Sequence, residues 1–122
     1  MMRLLEDMPA GVVGVAASGT LSSADYTDVL GPALKQTIDE NGAIRVVLVF
    51  DGEFSGMQPG AMWQDLRTGV QEWNSWERVA LVTDHGWMRD ALRMFAWAVP
   101  GEVKAFPLAE RNAAVAWAAA AS

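Results

Sequence analysis

The sequence predicts an α/β fold: a mostly parallel five-stranded sheet covered by helices, in the order ββαβαβαβα. Three observations carry this reading. Residues 44–50 and 78–83 hold nearly unbroken apolar runs, as strands buried on both faces do. Segments with apolar residues at 3.6-residue spacing separate those runs. Strands that alternate with helices pair in parallel through right-handed crossovers.

The elements follow in order. Leu4 and Leu5 within residues 2–7, then VVGVAA at 12–17, read as two short strands, with Val13, Val15 and Ala17 on one face. Met8-Pro9-Ala10-Gly11 between them is a turn signal, so the pair should be an antiparallel hairpin. Ser22 with Asp25 three residues later resembles a capping box and should open a helix. Tyr26, Val29, Leu30, Ala33, Leu34 and Ile38 form its apolar stripe. Pro32 inside that stretch lacks an N–H, which predicts a kink near Val29 or a break with Pro32 opening a second segment. Asn41-Gly42 should end the helix.

Residues 44–50 form the central strand, and 51–56 a loop at its carboxyl end. Pro59 suits the first turn of a helix over 59–74, striped by Met62, Trp63, Leu66, Val70 and Trp73. After the strand 78–83, Asp84 is expected to cap a helix over 86–98 with Ala91, Leu92, Phe95 and Ala98 inward. Pro100-Gly101 closes that helix and 102–106 form a short last strand. The alanine-rich stretch 109–121, anchored by Val115 and Trp117, should be helical. No repeat or linker interrupts the pattern, so one domain over 1–122 suffices.

Composition narrows the function classes. A chain of 122 residues can bury about two-thirds of its unfolded surface. Hydrophobic residues at 52% against 20% charged residues argue against disorder. The absence of cysteine excludes disulfides, thiolate catalysis and cysteine-ligated zinc. A net charge of −6 repels phosphate backbones, so no nucleic-acid partner is expected. No stretch approaches the ~20 apolar residues of a membrane span. Acids within the first seven residues and the lack of an apolar run argue against a signal peptide, which leaves the cytoplasm as the expected location.

Catalytic signals are sparse. His85 is the sole histidine and has only its neighbour Asp84 beside it, which does not make a triad. Asp51, Glu53, Asp65 and Asp84 fall near strand ends or helix starts, where caps account for them and no metal-loop spacing appears. No catalytic group, metal site or cofactor is therefore expected. Ser55 precedes a glycine in the loop after the central strand, as a turn serine or a phosphoacceptor near a helix start. The more informative set is aromatic. Six tryptophans and seven methionines are many for this length. Trp63, Trp73, Trp76, Trp87, Met94 and Trp97 either fill the core or make a partner surface or hydrophobic pocket.

Several segments occur in an order that resembles a known family. They are Gly19-Thr20-Leu21 with Asp25-Tyr26, then Leu30, Pro32 and Leu34, then Phe54-Ser55-Gly56 with Trp63 and Asp65. The block from Trp76-Glu77-Arg78-Val79 to Thr83-Asp84 with Trp87, and Pro100-Gly101-Glu102-Val103, complete the set. Across nearly the whole chain this resembles the SpoIIAA-like family, the STAS-related and Sec14-like small domains. The resemblance implies a mostly parallel sheet wound as a βα superhelix. It also implies kinship with bacterial anti-sigma-factor antagonists switched by phosphorylation of a serine in an Asp-Ser-Ser/Thr-Gly type motif. Here only Ser55-Gly56 matches that motif, and the preceding Asp-Ser is absent.

The leading expectation is a non-catalytic binding or regulatory module. Its aromatic surface would take a protein partner, a second copy, or a small apolar ligand such as a lipid. The alternative is a phosphorylation-switched antagonist with Ser55 as the switch. A small carboxylate-based hydrolase or lyase comes third.

Overall fold

The computed structural model describes residues 1–21, 23–52, 56–57, 76–95 and 101–120. Strand β1 (Met2–Leu5) and β2 (Val13–Ala17) form the expected antiparallel hairpin. A two-residue strand β3 (Thr20–Leu21) leads into a short helix α1 (Ser23–Asp25). A π-helical turn (Tyr26–Leu30) joins it to α2 (Gly31–Asn41). The central strand β4 (Ile44–Phe50) is followed by β5 (Gly56–Met57) and β6 (Trp76–Thr83). Helix α3 (Gly86–Phe95), strand β7 (Glu102–Phe106), a 3₁₀ turn (Leu108–Glu110) and helix α4 (Arg111–Ala119) complete the described chain. The expected helix over 59–74, the end of the helix over 86–98, and Ser22 of the capping box lie outside the described residues.

The main sheet has the order β1-β2-β4-β6-β7, parallel throughout except for β1. This is the predicted mostly parallel five-stranded sheet. Its register stacks apolar rows across the strands: Val13, Val46, Val79 and Val103 form one row, and Val15, Leu48, Leu81 and Ala105 another. Alternation along β4 and β6 sends side chains to both faces. Val46, Phe50 and Leu81 pack under Leu30 and Leu34 of the helical stretch and Met88 of α3. Val47, Val49, Ala80 and Val82 pack under Ala114 and Ala118 of α4. Both faces are buried, which is why these two strands read as continuous apolar runs.

The irregular helix has a chemical cause. Pro32 cannot donate a hydrogen bond back to the preceding turn, so α2 restarts with proline in its first turn, where that donor is not needed. The wide π turn takes up the mismatch just before it. At the other end, Gly42 adopts φ +72° and its N–H donates to the Ile38 carbonyl at 2.8 Å. A side chain in that left-handed geometry is strained. Gly42→Ala is expected to cost about 1 kcal/mol, read as a lower urea midpoint with an unchanged slope.

A second, two-stranded sheet was not expected from the pattern. Thr20–Leu21 pairs in parallel with Gly56–Met57, and two residues are too few to show a period. At the amino edge of the main sheet, two neighbouring arginines tie down α4. Arg45 donates to the carbonyls of Ala118 and Ala120 and pairs with Glu77, while Arg78 donates to the Trp117 carbonyl. No helix among the described residues is long and apolar enough to cross a membrane.

Candidate functional site

The parallel strands β2, β4, β6 and β7 end on one edge, the position outside which open α/β sheets place ligands. The segments leaving that edge carry Asp51 and Gly52 after β4, Asp84 and His85 after β6, and Leu108 after β7.

Thr83 ends β6 fully buried. Its hydroxyl oxygen accepts from the His85 backbone N–H at 3.1 Å and its O–H points to Met88 Sδ at 3.9 Å. Its carbonyl accepts from Arg89 Nη2 at 2.9 Å and Nε at 3.3 Å. The turn from β6 into α3 is thus closed on both sides of Thr83. His85 reaches across to β4: its Nε2 lies 3.0 Å from the Asp51 carbonyl oxygen. A carbonyl only accepts, so Nε2 carries the hydrogen.

Asp84 corrects the expected cap. Its Oδ1 accepts from the Leu108 backbone N–H at 3.0 Å and lies 3.9 Å from Arg89 Nη2. An aspartate before a helix fits a cap by local pattern, but here the orphan N–H of the turn after β7 takes the carboxylate instead. His85 therefore links the ends of β4 and β6, and Asp84 links the ends of β6 and β7. Thr83 and Arg89 are the members of this network that sequence reasoning missed. The only available signal was a Thr-Asp-His-Gly run directly after a buried strand.

Trp87 stands at the start of α3, 54% exposed. Its ring centroid is 6.5 Å from that of His85, with the planes tilted by 56°. The next residue, Met88, points the other way, into the core. Trp76 sits at the opposite end of β6 and packs, half-buried, against the core. At about 3.3 Å per residue the length of β6 puts over 20 Å between the two, so they do not share one surface. Trp76 belongs to the core. Met94 lies on α3, about two turns beyond Trp87. Trp63, Trp73, Trp97 and Ser55 lie outside the described residues, as do Glu53 and Asp65. Among the described residues no three His, Asp or Glu side chains gather as a metal site requires.

A groove of about 210 Å³ opens between the β1–β2 hairpin and α2, walled by Leu4, Val12, Ala33 and Thr37 among others. Its polar groups pair with one another: Gln36 donates to Glu40 at 3.1 Å and Asn41 to Thr37 at 3.2 Å. It is smaller than the ~300 Å³ at which drug-sized pockets begin.

The comparisons agree with this architecture. The fold is similar to that of an uncharacterized protein of the DUF3478 family, with a SpoIIAA-like fold, from Shewanella loihica PV-4. The TM-score is 0.72 at 24% identity, covering 95% of this chain and 92% of that one. No curated protein matches the chain. A family model described as SpoIIAA-like matches residues 12–119, nearly all of the described core. The chain therefore belongs to the SpoIIAA-like family.

Proposed function

We propose that this chain is a non-catalytic binding or regulatory module that engages its partner at the carboxyl edge of the sheet, around Trp87. The observation that carries this reading is the division of labour at that edge. The polar groups of Thr83, Asp84 and His85 are engaged in joining strand ends, while the Trp87 ring stands beside them more than half in water. A large ring on a rigid helix start is the usual anchor of a recognition surface, and it costs little entropy to order. The SpoIIAA-like fold supports a binding or regulatory role at the same coarse level.

The occupant is a protein partner or a small apolar ligand. Native mass spectrometry on protein purified directly from cells separates the two, since a small ligand adds a mass that is lost on denaturation. Trp87→Ala is expected to weaken capture by about tenfold or more, as an anchor residue should, with little change in thermal midpoint. Capture that is indifferent to Trp87→Ala would sink the site assignment.

One observation favours a second reading, the phosphorylation switch at Ser55. Its chain neighbour Gly56 is paired with Thr20, in the segment leaving the carboxyl end of β2. In that reading Ser55→Ala and Ser55→Asp differ in partner capture, and equal behaviour ends it. No comparable observation favours the hydrolase or lyase reading: of its four carboxylates, Asp84 accepts from the Leu108 N–H, and Glu53 and Asp65 lie outside the described residues.

A further inference from the structure

We propose that β1 is a self-association strand, through which a second copy of this chain adds edge to edge and joins the two sheets into one. The backbone groups of β1 point alternately toward β2 and away from it. In an antiparallel ladder, residue pairs alternate between those that exchange hydrogen bonds and those that do not. The Ser18 N–H donates to the Met1 carbonyl at 2.8 Å, so the pair just before Met2↔Ala17 is a bonded one. Arg3↔Ala16 and Leu5↔Gly14 are then bonded pairs, while Met2↔Ala17 and Leu4↔Val15 are not. The Ala17 carbonyl agrees, since it turns away from β1 to accept from the Asp51 N–H beyond β4. The N–H and C=O groups of Met2 and Leu4 therefore point outward, away from β2.

That edge is the outer side of the main sheet, with β1 last in the strand order. It carries few of the devices that keep edges from pairing. The ladder runs through Met2–Leu5 without a bulge, and the segment has no proline or lysine. Leu4 is 49% exposed beside the outward backbone groups. The other edge strand, β7, contrasts with it: its two exposed residues, Glu102 and Lys104, are both charged.

The register follows from symmetry and charge. A two-fold axis normal to the sheet makes the new pair antiparallel and sets one residue opposite its own copy, and the central choices over β1 are Arg3 opposite Arg3 or Leu4 opposite Leu4. Like charges directly opposite each other are unfavourable. The Leu4-centred register avoids that contact, uses the outward groups of Leu4 for a bonded pair, and buries the exposed Leu4 side chains against one another.

The directionality supplies a clean test. Leu4→Pro deletes an N–H that points away from β2, so the β1–β2 ladder stays intact, and proline is tolerated at such an edge position. Sedimentation velocity from low micromolar to high concentration should show the wild type moving from monomer to dimer. Leu4→Pro should stay monomeric with an unchanged circular dichroism spectrum. Should that variant fail to fold, amide exchange on the wild type replaces it: Leu4 amide protection should rise with protein concentration. A wild type that remains monomeric throughout, a folded Leu4→Pro that still dimerises, or a Leu4 amide indifferent to concentration would each overturn the proposal.

Discussion

Gly101→Val is expected to lower stability by about 3 kcal/mol or more, the upper range of overpacking costs. A Cβ at this position would stand 2.5 Å from the Trp76 carbonyl oxygen and 2.7 Å from that of Glu77. Both atoms are backbone at the start of β6, and neither can rotate away as a side-chain tip would. Residue Trp76 is itself held in the ladder with Ile44 of β4. The strain must therefore be relieved by β7, which follows directly and pairs with β6 from Arg78↔Glu102 to Val82↔Phe106. Pushing β7 outward weakens that ladder and loosens Phe106 over the second core face. Thermal unfolding should show a midpoint lowered by roughly 10 °C for a chain of this size. Gly101→Ala should already show part of the effect, because the clash begins at Cβ. An unaltered midpoint in both variants would mean that β7 does not approach β6 this closely.

Arg78→Met comes next, at about 2–3 kcal/mol. The residue is 9% exposed on β6. Its Nη1 donates to the Trp117 carbonyl in the last turn of α4. The guanidinium carbon lies 5.1 Å from the Trp117 ring centroid. Its Nε is 3.2 Å from Glu102 Oε2, an ion pair rather than an aligned hydrogen bond. Methionine keeps most of the stem and removes the charge and the donors. Three losses follow, and they differ in weight. The Trp117 carbonyl loses its charged donor and keeps only the Ala120 N–H, at 3.3 Å. The cation over the ring goes. The pair with Glu102 matters least, because that carboxylate is 67% exposed and water replaces the partner. Against them stands relief from burying a guanidinium, which keeps the sum below the cost of breaking a fully buried pair. Arg78→Lys should rescue little, since one ammonium cannot meet the carbonyl, the ring and the carboxylate in three directions. Chemical denaturation of the three proteins checks the ranking. A Met variant as stable as wild type would show that desolvation cancels the contacts.

Both predictions act at the amino edge of the sheet, while the proposed recognition surface lies at the carboxyl edge. Residues at the two edges were unequally legible. The strands themselves could be read because burial on both faces leaves an apolar run, as in Val46–Phe50 and residues 79–82. Pro32 and Gly42 announced the helix break and the helix end, since each acts through its own backbone. The links at the carboxyl edge could not be read. The His85 bond to the Asp51 carbonyl spans 34 residues, and the Asp84 bond to the Leu108 N–H spans 24. Nothing local distinguishes an aspartate that caps its own helix from one that reaches a neighbouring turn. The tryptophans show the same limit: Trp76 and Trp87 are close in sequence, yet an eight-residue strand carries them to opposite edges.

By itself, then, the amino-acid order determined the alternation of strands and helices, the mostly parallel sheet, and the family, because these depend on periodicity and on residues that constrain their own backbone. The tertiary structure alone decided which strand ends are joined, that Trp76 is core while Trp87 meets solvent, that two arginines hold the last helix, and which backbone groups of β1 face outward. Those depend on which distant segments the sheet register brings together, and a register is a property of pairs of strands that no single segment contains.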